Sequence, residues 1–80
     1  METMILFYEC AGPEARGRLE ALQTRLAEGE GYVAGTLLQS ADQPELYLLT
    51  STWRANGAPQ AAPEGVKVWR FRPVAPEGGA

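Results

Sequence analysis

The stretch "ELYLLTSTW", residues 45–53, limits what this chain can fold into more than any other. Successive side chains of a strand point to opposite faces. Leu46, Leu48, Thr50 and Thr52 therefore share one face, and Tyr47, Leu49, Ser51 and Trp53 share the other. A strand with one face in water alternates apolar with polar residues. Here neither face is polar, so both need cover. A chain of 80 residues buries a low fraction of its unfolded surface and has little material for a second covering layer. The missing cover is expected from a second copy of the chain, packed sheet to sheet.

The remaining elements follow from changes of period. "MILFYEC", residues 4–10, is a run of branched and aromatic residues and reads as a first strand. In the segment that follows, Ala15, Leu19, Leu22 and Leu26 recur at helical spacing, with Arg16, Arg18, Glu20 and Arg25 turned elsewhere. Pro13 is expected at the first helical position, Glu14 at the positive end of the dipole, and Gly29 or Gly31 at the helix exit. "YVAGTLLQS", residues 32–40, and the opening stretch form an antiparallel hairpin around the turn residues "ADQP", and Gly35 marks a bulge or a close backbone approach. Residues 54–65, "RANGAPQAAPEG", have no apolar period and read as a loop. "VKVWRFRPV", residues 66–74, is a fourth strand, and residues 76–80 are a tail beyond a single domain over 1–75.

Composition removes several function classes. The chain has no histidine and one cysteine, Cys10, so histidine-ligated zinc or haem and an intrachain disulfide are not expected. Seven basic residues are scattered among ten acidic ones, for a net charge of -3, which argues against nucleic acid or an anionic membrane as partner. "MILFY" is too short for a signal-peptide core, and no apolar run approaches the roughly 20 residues that span a bilayer. A cytoplasmic location is expected.

The segment "GYVAGTLLQSADQPELYLLTSTW", residues 31–53, resembles the antibiotic biosynthesis monooxygenase family: a Gly-Tyr at the helix exit, "LLQS" in a strand, a turn holding Pro44, then "YLLTSTW". Element order extends the resemblance over residues 4–53. It implies an α+β, ferredoxin-like four-stranded antiparallel sheet that forms a dimeric α+β barrel through its open face. It also implies a small aromatic, quinol-like substrate, oxygenated without a tightly bound cofactor in a pocket between sheet and helices. Trp53 matches the pocket tryptophan that ends the third strand. Two features depart from the family. The haem-degrading relatives use a histidine and a first-strand asparagine that this chain lacks, and residues 54–65 replace the second helix with a loop.

Cofactor-free oxygenation needs a dry, electron-rich substrate and donors for developing oxygen charge. Tyr32 and Tyr47 are candidate donors from the two arms of the hairpin, and Arg70 or Arg72 could stabilise an anionic substrate. Against each stands a structural role: tyrosines at strand ends pack their rings, and arginines on a terminal strand face water or pair with Glu. Glu9 could act as a base if buried, and Cys10 has no histidine to activate it and reads as a small buried hydrophobe. Trp69 and Phe71 alternate with Val68 and Arg70, a pattern that can stack bases, but the acidic chain lacks the signature of RNA-recognition modules. The alternative to the enzyme is a non-catalytic dimerisation or ligand-binding module on the same barrel, with no metal.

Overall fold

The computed structural model describes residues 3–54 and 57–74. The expected tail at 76–80 lies outside the described residues. Strand β1 (Thr3–Ala11) is followed by helix α1 (Ala15–Ala27), the hairpin strands β2 (Tyr32–Gln39) and β3 (Leu46–Arg54), and β4 (Lys67–Phe71). The four strands form one sheet in the order β2-β3-β1-β4, with every neighbouring pair antiparallel. One helix on a four-stranded antiparallel sheet defines an α+β architecture compatible with a ferredoxin-like fold.

The helix covers one face, called the inner face here. Its apolar stripe enters the core through Ala15, Leu19 and Leu22, with Leu26 half-buried. Under it lie Leu6, Tyr8 and Cys10 of β1 and Leu49, Ser51 and Trp53 of β3, all buried. This is the alternation expected of 45–53, and Cys10 is the small buried group expected of it. The helix begins at Ala15 with Glu14 as its N-cap, and Glu14 makes no side-chain cap bond. Pro13 thus lies before the helix instead of opening it. At the other end Gly31 has φ +92°, the left-handed value that glycine adopts without strain.

The helix packs over β2, β3 and β1. The β4 side of the inner face is covered by the connection from β3. Strands β3 and β4 flank β1 and run parallel, so this connection crosses over the sheet. Residues 57–66 form no α-helix or strand, as expected, yet they are seated against the core through Ala58, which is buried, and Ala62 and Val66. Arg18 of α1 donates to the Glu64 carbonyl, and Arg70 of β4 donates to the Pro59 carbonyl at 2.8 Å. Two arginines thus strap the connection to the helix on one side and to the sheet on the other.

The strand boundaries differ from expectation by one residue at most ends and by three at the end of β4. Arg54 belongs to β3 because its N–H reaches the Gly31 carbonyl at 2.9 Å. Val66 belongs to the strap, donating to Pro63. β4 stops at Phe71, two residues before Pro73, which has no N–H for a ladder. The irregularity near Gly35 is resolved into two parts: the register shifts between Tyr32 and Ala34, while Gly35 gives room to the Tyr32 hydroxyl and the Thr50 carbonyl.

Candidate functional site

Trp53 and Tyr32 meet at one end of the hairpin, where their rings are edge to face with centroids 5.3 Å apart. The Trp53 ring is 1% exposed. Its Nε1–H donates to Ser51 Oγ at 2.8 Å, and Ser51 Oγ in turn donates to the Leu6 carbonyl at 3.4 Å. A Cβ added at Gly29 would lie 3.3 Å from the six-membered edge of the indole, so the helix exit closes on that ring. The indole therefore stands in the core with its polar atom satisfied, where the resemblance expects it to line a substrate pocket.

The other expected site residues do not converge on it. Tyr47 lies opposite Gln39 at the far end of the hairpin, six residues along β3 from Trp53 and thus roughly 20 Å away. Its hydroxyl accepts from Gln39 Nε2 at 3.1 Å. Arg70 lies on β4, separated from β3 by the width of β1. Its inward direction is fixed by register: it is opposite Leu6, as Val68 is opposite Tyr8. Arg72 lies beyond the end of β4 and is exposed. Glu9 points to the outer face, half-buried, and its Oε1 accepts from Trp69 Nε1 at 3.2 Å.

Arg70 instead has a neighbour that the sequence reading did not single out. Tyr8 is 1% exposed, and its hydroxyl is buried with no hydrogen-bond partner among the described residues. Tyr8 and Arg70 are diagonal neighbours on the inner face of β1 and β4, a spacing that long side chains bridge. Burial pushes the Tyr8 phenol above its ordinary pKa, and the Arg70 guanidinium opposes that push. A buried phenol donor without an acceptor among the described residues thus lies next to a cation that is itself exposed beside the strap. Alternation of Leu6, Tyr8 and Cys10 was the signal that could have placed this tyrosine inward.

The outer face is different in kind. Ile5, Phe7, Leu48, Trp69 and Phe71 line a shallow groove of about 500 Å³ with no polar lining. Phe7 and Phe71 meet edge to face at 5.2 Å. Trp69 is 48% exposed, Phe71 51% and Leu38, beside Leu48 on β2, 45%. Polar groups border the aromatic part of the groove: Glu9 opposite Lys67 at one end, and Thr50 and Thr52 along the β3 side, with Thr36 beyond Thr50. The residues that the opening strand turned away from the helix are half-buried by their sheet neighbours, and no helix or strand of the described chain packs over them.

Among the described residues no group of three or more His, Cys, Asp or Glu could hold a metal ion, and no helix is long and apolar enough to cross a membrane. Comparisons with family models, with curated proteins and with solved structures find nothing that matches this chain.

Proposed function

We propose that this chain is a dimerisation module in which two copies pack their outer sheet faces together, forming an α+β barrel. The observation that carries the reading is the apolar groove of Ile5, Phe7, Leu48, Trp69 and Phe71, rimmed by polar groups on a chain this small. Single exposed hydrophobes need no explanation, but a contiguous apolar patch with a polar rim is the anatomy of an interface. Four strands about 4.8 Å apart and mostly eight or nine residues long present a face of roughly 20 by 25 Å. Corrugated by side chains, that face is of the order of the ~800 Å² per partner that stable dimers bury.

Magnitudes set the expected strength. Covering the exposed halves of Trp69, Phe71 and Leu38 removes about 250 Å² from water, worth roughly 6 kcal/mol per protomer. The sum for two protomers, roughly 12 kcal/mol, is comparable with the ~4–15 kcal/mol lost in association. The smaller contributions of Ile5, Phe7 and Leu48 then decide the balance, and the dimer dissociates on dilution. Tryptophan emission tests the geometry. Trp53 is already buried, so a blue shift with rising concentration reports Trp69 entering an interface. Emission independent of concentration while the mass doubles would place the contact elsewhere, for instance at the open edges of β2 and β4.

One observation favours a second reading, that the module also binds a small molecule on its inner side: the unpartnered Tyr8 hydroxyl beside Arg70. An oxygenase acting on a quinol-like compound is the most specific form of that reading. It draws on the resemblance of residues 31–53 and asks for no cofactor. Oxygen uptake with dihydroxyaromatic compounds tests it, and absence of uptake leaves binding without turnover.

A further inference from the structure

The geometry points to a binding site for a small aromatic carboxylate beneath the 57–66 strap, with the Tyr8 hydroxyl and the Arg70 guanidinium as its two donors. This rests on the second reading above, that the inner side takes a small molecule, and gives that molecule a chemical class.

A buried hydroxyl without a partner costs more than the same site filled by an apolar group, so native structures rarely keep one. Tyr8 keeps one in the centre of β1, with Leu6 and Cys10 beside it in the buried row. The hydroxyl can donate, and what it lacks is an acceptor. Its neighbour Arg70 offers further donors and a fixed charge, and among the described residues it spends one N–H, on the Pro59 carbonyl. Two adjacent donors, the buried Tyr8 hydroxyl and the exposed Arg70 cation, on a face where Val68 pairs with Tyr8 and the strap brings Ala58 and Ala62 to the core, match an oxyanion carried on a flat apolar body. A carboxylate accepts from both at once, and the aromatic ring replaces the contacts of the alanines.

Admission of such a ligand requires the strap to lift, and its attachment is light. It contributes two alanines and one valine to the core, and its side-chain clamps are the Arg18 bond to the Glu64 carbonyl and the Arg70 bond to the Pro59 carbonyl. Arg70 is the element common to both states. In the closed strap its guanidinium holds Pro59; in the liganded state the carboxylate takes the place of that carbonyl. The anion competes with the Pro59 carbonyl for the exposed Arg70 guanidinium, so binding and release of the strap at Pro59 are one event.

The test uses benzoate and 4-hydroxybenzoate as probes, with benzamide as the neutral counterpart, titrated into the full chain and followed by amide chemical shifts. Benzoate is expected to saturate and to move the amides of residues 57–66 together with those of Tyr8 and Arg70. Benzamide is expected to bind at least tenfold more weakly. Tyr8→Phe is expected to weaken benzoate at least tenfold while melting no lower than the wild type, since it removes only an unpartnered hydroxyl; Arg70→Gln is expected to abolish binding. Equal affinity for benzoate and benzamide would overturn the carboxylate assignment and leave a small-molecule site standing. No saturable shift with any of the three probes, or benzoate affinity unchanged in a folded Tyr8→Phe, would overturn the site itself.

Discussion

The indole N–H of Trp53 donates to the hydroxyl of Ser51 at 2.8 Å, two residues back on the same inward face of β3, and both groups are buried. Ser51 passes the chain on to the Leu6 carbonyl of β1. Ser51→Ala would leave the indole N–H buried without an acceptor, which costs about 1–3 kcal/mol. Urea titration read through Trp53 emission is expected to show a lower midpoint with an unchanged slope. A midpoint equal to that of the wild type would mean that the indole finds another acceptor and that Ser51 is not its support.

Two glycines are expected to respond with opposite signs. Gly31 combines φ +92° with a close backbone approach, a Cβ there falling 2.8 Å from Gly57 Cα. Gly31→Ala adds left-handed strain of about 1–2 kcal/mol and pushes the start of the strap away from the helix exit. Gly17, exposed in α1, has nothing within 4 Å of its Cβ position. Gly17→Ala is expected to stabilise by about 0.5–1 kcal/mol through helix propensity alone. Thermal melts of the two variants check the pair, and a stabilising Gly31→Ala would contradict the seating of the strap on the helix exit.

Tyr8 gives the protein a pH dependence on the alkaline side. Its folded pKa is raised by burial above the ordinary value of about 10 that it regains on unfolding. Above that value the unfolded state releases a proton that the folded state keeps, so stability falls as pH rises. Below about pH 10 both states hold the proton and Tyr8 contributes no slope. Tyr8→Phe is expected to match or exceed the wild type at neutral pH and to lead by a growing margin above about pH 10. Parallel stability curves for the two proteins up to the alkaline limit would show a phenol that titrates freely.

How much of this was readable in advance differs by element. The alternation in 45–53 located the inner and outer faces of β3 because the side-chain period of a strand is two, and the helix stripe was equally clear at Ala15, Leu19 and Leu22. The strap was readable only as a loop. Its residues have no period, and its seating depends on Arg18 and Arg70 reaching carbonyls 46 and 11 positions away. Arg70 is a candidate from the sequence and its neighbour Tyr8 is not: the alternation of Leu6, Tyr8 and Cys10 turns Tyr8 inward, but the missing partner of its hydroxyl is a property of the assembled fold. Trp53 shows the reverse. A tryptophan ending a strand is compatible with a pocket or a core, and the Ser51 acceptor and the Gly29 closure, which place it in the core, are properties of the assembled fold.

The outer face remains the centre of the account, and sedimentation equilibrium at micromolar concentration tests it most directly. The wild type is expected to show a mass near twice the 8.7 kDa of one chain, falling towards 8.7 kDa on dilution. Phe71→Lys, which puts a charge into the groove at a residue already 51% exposed, is expected to sediment as the monomer with its fold intact. A wild-type mass of 8.7 kDa across the concentration range, or a Phe71→Lys dimer as tight as the wild type, would contradict it.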